Sequence, residues 1–178
     1  NAAPGNPSND GDNRVYSYGH RNIQGVAFTD DGEPFVGVTT EHGPDVDDEI
    51  NEIMRGANFG WDPVPGYNER VPMTDKDEFP NAVEALWSSG SPTLAPSGAT
   101  FIYGEQWGRY DGALLVAMLK TQHIRVFSYD ENGNIEGQEE WYKGEYGRIR
   151  SVYQSDDGAL YVTTDNGDAT DVLLKITP

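Results

Sequence analysis

The sequence contains no cysteine. That excludes a disulfide framework, a thiol nucleophile, an iron–sulfur cluster and cysteine-type zinc sites, and leaves the redox compartment open. Histidine is scarce, at positions 20, 42 and 123 only, too far apart for a two-histidine helical zinc motif. Cations are few: 12 Lys and Arg stand against 30 Asp and Glu, a formal charge of −18. Such a surface repels phosphate backbones and anionic lipid, so nucleic acid and membrane faces are not expected partners. The acidity points instead to bound cations, a salty environment or plain solubility. No apolar run approaches the ~20 residues that span a bilayer, so no membrane insertion is expected. Long helical periodicity is missing too, since no stretch of about 12 residues sustains a 3.6-residue repeat.

What the 178 residues do hold is punctuation and short apolar runs. There are 21 Gly and 11 Pro, and aromatics make up 11%. Runs rich in Val, Ile, Tyr, Phe and Thr are broken by Asp-Gly and Asn-Gly, the pattern of short antiparallel strands joined by tight turns. The runs recur. Residues 24–29 lead through Asp30-Asp31-Gly32 to 34–40. Residues 98–103 lead through Tyr110-Asp111-Gly112 to 113–119, then to 123–129 and an Asn132-Gly133 turn. Residues 149–154 lead through Asp156-Asp157-Gly158 to 159–164 and 172–176. Gly112 and Gly158 lie 46 residues apart, which fits one blade of a β-propeller. Gly32 and Gly112 lie 80 apart, the excess falling in an insertion near residues 43–92. Residues 1–13 read as a flexible lead-in and 14–178 as the partial propeller.

This all-β chain is therefore read as about three blades of a six-bladed ring, because three blades alone leave unpaired sheet faces at both ends. Upstream sequence, another chain or a second copy would supply the missing half. A compact β-sandwich with irregular loops is the competing architecture.

Five segments carry chemistry. Gly19-His20-Arg21-Asn22-Ile23-Gln24-Gly25 places hydrogen-bonding side chains just ahead of a strand, between glycines that allow close backbone approach. Thr40 to Asn51 is strongly acidic, with Asp45, Asp47, Asp48 and Glu49, and hard cations bind such oxygens. It fails the EF-hand template, because Ile50 stands where a glycine is required. Gly56-Ala57-Asn58-Phe59-Gly60-Trp61 is tightly turned, with carbonyls free to coordinate. Leu119-Lys120 ends an apolar strand. In Gly147-Arg148-Ile149-Arg150 the two arginines share one strand face, and adjacent guanidiniums repel unless an anion lies between them. A bound carboxylate, a phosphate or an acidic side chain of the chain itself would serve. Asp165-Asn166-Gly167-Asp168 reads as a turn.

With Glu41-His42-Gly43-Pro44, Asp48-Glu49-Ile50-Asn51 and Ala95-Pro96-Ser97-Gly98, these motifs occur in an order that resembles the C-terminal half of soluble sugar dehydrogenases dependent on pyrroloquinoline quinone (PQQ), of the glucose/sorbosone dehydrogenase family. The resemblance runs from about Tyr16 to the C-terminus. It implies oxidation of the C1 hydroxyl of an aldose by hydride transfer to PQQ, with Ca2+ as second cofactor. Arg21 and Asn22 would bond the quinone oxygens, and Arg21 would stabilise the charge developing there. Gln24 would support them, and His42 stands where relatives often carry a cofactor-contacting Gln. Thr93, Lys120, Arg148 and Arg150 would bind the PQQ carboxylates and adjoining oxygens. The carbonyls of Gly43 and Pro44 would hold the catalytic Ca2+, and Glu49, the Phe59 carbonyl and Glu69 a structural one.

The resemblance also implies a periplasmic or secreted protein and an external electron acceptor. Ile23 departs from a common Pro, and Phe59 from a common Tyr. The family's histidine base is expected in blades this chain does not contain. A non-catalytic, calcium-stabilised propeller segment binding protein or carbohydrate is the alternative, and a plain acidic β-domain the remaining one.

Overall fold

The computed structural model describes residues 2–7, 12–43, 47–61 and 71–178. Eleven strands among them form three antiparallel sheets. The first contains β1 (Ile23–Phe28), β2 (Gly37–Glu41), β3 (Glu49–Glu52) and β4 (Trp87–Ser88). The second contains β5 (Pro96–Phe101), β6 (Leu114–Met118), β7 (His123–Tyr129) and β8 (Ile135–Trp141). The third contains β9 (Ile149–Gln154), β10 (Leu160–Thr164) and β11 (Leu173–Ile176). Within each sheet the strands pair in sequence order, which is the up-and-down meander of a propeller blade. The chain is three consecutive blades. β1 packs on β5 and β5 on β9, so these are the innermost strands.

The repeated Asp-Gly turns mark the same place in each blade, the link from innermost to second strand. Gly32, Gly112 and Gly158 sit there at φ of 84°, 81° and 81°, a backbone region that excludes most side chains.

Burial follows from blade stacking. The middle blade is covered on both faces, so β6 (Leu-Leu-Val-Ala-Met) is apolar throughout and buried throughout. Leu114, Val116 and Met118 pack with Ala27, Val38 and Ile50 of the first blade. Leu115 and Ala117 pack with Val152, Leu160 and Val162 of the third. The outermost strand β8 alternates partly buried and exposed positions, as a strand with one solvated face must.

Residues 43–92 contribute two blade strands, β3 and β4. Between them, the Phe59 and Trp61 amides donate to the carbonyls of Tyr18 (2.9 Å) and Gly19 (2.8 Å), tying this stretch to the chain ahead of β1.

Candidate functional site

One rim of the three blades gathers the starts of the innermost strands and the ends of the second strands. Ile23 pairs with Glu41, Pro96 with Met118 and Ile149 with Thr164. At all three places the register slips by a bulge, a device that re-aims side chains at a sheet rim. Each innermost strand is also preceded, within two residues, by a left-handed residue: Asn22 (φ 49°), Ala95 (58°) and Gly147 (77°). The chain thus turns sharply into each blade at this rim.

The residues singled out from sequence stand along it. Arg21 and Asn22 precede β1, Thr93 precedes β5, and Arg148 and Arg150 begin β9. His42 follows β2 and Lys120 follows β6. The Arg21 guanidinium donates to the His42 carbonyl and lies 5.4 Å from the Trp61 ring centre. Lys120 Nζ donates to Thr93 Oγ1 at 3.0 Å. Arg150 donates to Ser97 Oγ at 3.4 Å and to Asp165 Oδ2 at 2.6 Å, and Arg148 lies 3.6 Å from the same carboxylate oxygen. Asp165 is therefore an anion between the two guanidiniums, and the segment read as a turn supplies it. Asn22 and Gln24 are exposed and bond one another at 2.7 Å.

Beneath the rim lie two buried carboxylates whose roles sequence reasoning did not assign. Glu41 accepts from His20 Nδ1 (2.6 Å), Thr39 Oγ1 (2.8 Å) and the Arg21 amide (2.8 Å), and His20 Nε2 meets Ser17 Oγ at 2.7 Å. Asp48 bonds His42 and Gly43 of the first blade together with Leu94 and Ala95 of the second. The motifs Glu41-His42-Gly43-Pro44 and Asp48-Glu49-Ile50-Asn51 contained both acids, but nothing in a single sequence says which acids turn inward.

Glu49 belongs to a second place, on the outer face of the first blade. Burial pushes its carboxyl up to about 7, against the hydrogen bonds from Asn51 (3.2 Å) and Thr74 (3.0 Å). Asn51 Oδ1 is buried there and accepts no hydrogen bond from the described residues. A hard cation fits this oxygen set, since it would satisfy Asn51 and favour the ionised carboxylate. Phe59 is buried, with its ring stacked 4.5 Å from that of His20. Pro44 and Glu69 lie outside the described residues. Among the described residues no group of three or more His, Asp or Glu is arranged to hold a metal, so carbonyl oxygens would have to complete either cation site.

The rim's charge fits a polyanion. Of 12 cationic residues in a −18 chain, Arg21, Lys120, Arg148 and Arg150 stand here, and two of them share one acid. Guanidiniums bind carboxylates in bidentate fashion, so an anionic organic cofactor matches the donor set.

A partial propeller with a cationic rim over buried carboxylates defines the class: a β-propeller protein with four cationic side chains gathered along one rim. Comparison with known proteins narrows it. The family model for glucose/sorbosone dehydrogenase matches residues 1–175, and the chain belongs to that family. It is 32% identical over 178 residues to an aldose sugar dehydrogenase of Escherichia coli, covering 92% of this chain and 44% of that protein. A quinoprotein glucose dehydrogenase of Acinetobacter calcoaceticus is 48% identical over 65 residues, which is 36% of this chain and 13% of that one. The PQQ-bound aldose sugar dehydrogenase of Streptomyces coelicolor superposes with a TM-score of 0.73 at 26% identity, over 98% of this chain and 48% of that structure. The chain spans under half the length of these relatives. No helix among the described residues is long and apolar enough to cross a membrane.

Proposed function

We propose that this chain is the cofactor-holding half of a PQQ-dependent dehydrogenase that oxidises the C1 hydroxyl of aldose sugars. The observation that carries the reading is the gathering of Arg21, His42, Thr93, Lys120, Arg148 and Arg150 along one rim of three blades, from positions up to 129 residues apart. When bound, PQQ supplies the two-electron acceptor, and Ca2+ beside it a Lewis acid. The chain's own residues bind and orient. Lys120, Arg148 and Arg150 offer charge-assisted donors to carboxylates, with Thr93 holding the lysine. Arg21, kept in place by the His42 carbonyl, and Asn22 with Gln24 present donors to carbonyl oxygens. The carbonyls of Gly43 and Pro44 suit the adjacent Ca2+; Glu49, the Phe59 carbonyl and Glu69 suit a structural one. A proton acceptor for the sugar hydroxyl belongs to blades outside this chain, as does part of the sugar pocket. An external electron acceptor and an exported location complete the reading.

The test is a titration of PQQ with Ca2+ into the chain, alone and with the remaining blades, followed by absorbance. Saturable uptake is expected, weakened about ten- to a hundredfold by Arg150→Met, as for loss of a charged hydrogen bond. Dye reduction by glucose should appear only with the remaining blades present. No uptake in either arrangement overturns the proposal. Calcium-dependent melting without PQQ uptake would instead favour the non-catalytic, calcium-stabilised segment, which the Glu49–Asn51 site supports independently of the rim.

A further inference from the structure

Asp48 is fully buried and its carboxylate meets four donors. Oδ1 accepts His42 Nδ1–H at 2.6 Å and the Gly43 amide at 3.0 Å. Oδ2 accepts the Ala95 amide at 2.9 Å and the Leu94 amide. Its own backbone is pinned as well: the amide donates to Ser89 Oγ and the carbonyl accepts the Ser89 amide, both at 2.8 Å. Three of the four donors to the carboxylate are main-chain N–H groups, which cannot reverse their role. The carboxylate therefore cannot rotate to suit His42, and His42 must suit it.

The consequence falls on the other edge of the ring. A carboxylate only accepts, so His42 donates its Nδ1–H to Asp48, and the neutral tautomer this bond selects has its lone pair at Nε2. The side chain is 32% exposed. We propose that Asp48 is a positioning residue that fixes His42 with Nε2 as a hydrogen-bond acceptor at the cofactor rim, so that this wall recognises a ligand N–H or O–H. A glutamine could turn either end of its amide to the ligand; a histidine gripped in this way cannot. Asp48 also sets where the acceptor stands. The Leu94 and Ala95 carbonyls accept the amides of Lys120 (3.1 Å) and Leu119 (2.9 Å), so one carboxylate fixes the His42 wall relative to the Lys120 wall.

The inference rests on the rim being the PQQ and sugar site. The donor is then a ring N–H of the cofactor or a hydroxyl of the sugar. Nitrogen-15 spectra of histidine-labelled chain decide it, because only three histidines are present and His42→Gln identifies the resonances of residue 42. The wild type should show His42 protonated at Nδ1 and bare at Nε2. In Asp48→Asn the amide oxygen stays on Leu94 and Ala95, its NH2 turns to His42 with loss of the Gly43 hydrogen bond, and the two ring nitrogens should exchange states. A wild-type ring protonated at Nε2, or an unchanged pattern in Asp48→Asn, overturns the proposal. Should Asp48→Asn not fold, the wild-type pattern alone decides.

Adding PQQ with Ca2+, or glucose alone, shows which ligand moves the Nε2 resonance and so which is the donor. PQQ taken up by absorbance with Nε2 unmoved by either ligand refutes the recognition role and leaves the proposed function standing. No PQQ uptake with or without the remaining blades, with His42 in the expected state, refutes the proposed function and supports the Asp48–His42 assignment.

Discussion

Contact between blades depends on single atoms at the innermost strands. Gly25 on β1 has no room for a side chain: a Cβ there would stand 2.4 Å from the Ser97 carbonyl oxygen and 2.7 Å from Thr40 Oγ1. Those two oxygens are themselves joined at 2.6 Å, the Thr40 hydroxyl donating across from blade one to blade two. Gly25→Ala should therefore cost about 1–3 kcal/mol, as overpacking does. Gly32→Ala is the control. Its surroundings are open and only its φ of 84° opposes a side chain, which costs about 1–2 kcal/mol. Urea midpoints measure both. If Gly25→Ala also leaves PQQ affinity at the wild-type value, the rim does not depend on this contact. At this scale the sequence was partly readable. That Arg148 and Arg150 share a face followed from strand alternation alone. That Asp165 is the acid between them did not, because its neighbours Asn166 and Gly167 give it the look of any turn.

Among the elements, β7 carries a buried histidine. His123 opens the strand and is buried, its Nδ1 on the Thr121 carbonyl at 3.2 Å and Nε2 without a hydrogen bond from the described residues. Burial holds its pKa below the ordinary value of 6.5, Arg125 and Lys143 push the same way, and the Glu140 carboxylate 3.7 Å off opposes them. The folded-state value lies below the unfolded one, so the contribution to stability is fully present above 6.5. It is lost as the pH falls from there through the folded value. His123→Gln should flatten the fall in melting temperature between pH 7.5 and 5.5 relative to wild type. An equally steep fall in the variant places the acid sensitivity elsewhere.

Strands such as β6 and β7 were legible because blade stacking demands apolar, β-branched residues. β3 was not: Glu-Ile-Asn-Glu reads as acidic loop, and it is a buried strand because its polar side chains line the Glu49 site and the Glu41 pair. β8, with three glutamates, and the two-residue β4 escaped for similar reasons, being outermost strands with little apolar demand.

For the whole molecule, charge and exposure tell the same story from two directions. Four cations stand together on one rim of an acidic body, and apolar side chains are exposed on the two terminal faces. Ala27 of β1 packs into the second blade, so its neighbours Val26 (47% exposed) and Phe28 (61%) turn to the free face of the first. Val152 and Leu174 pack inward in the third blade, so Tyr153 (60%) and Leu173 (67%) turn to its free face. In a complete ring both faces would be covered by the neighbouring blades, as both faces of the middle blade are here. A Phe28→Asp, Tyr153→Asp double variant separates closure from folding. Both side chains are exposed in the chain itself, so its stability should shift by no more than about 0.5 kcal/mol. Association with a polypeptide carrying the remaining blades, measured by sedimentation, should nonetheless be abolished, because each substitution would bury an unpaired charge at a blade interface. Undiminished association of the double variant would show that the ring closes through other surfaces. A wild-type chain that ignores the remaining blades would show that it does not close at all.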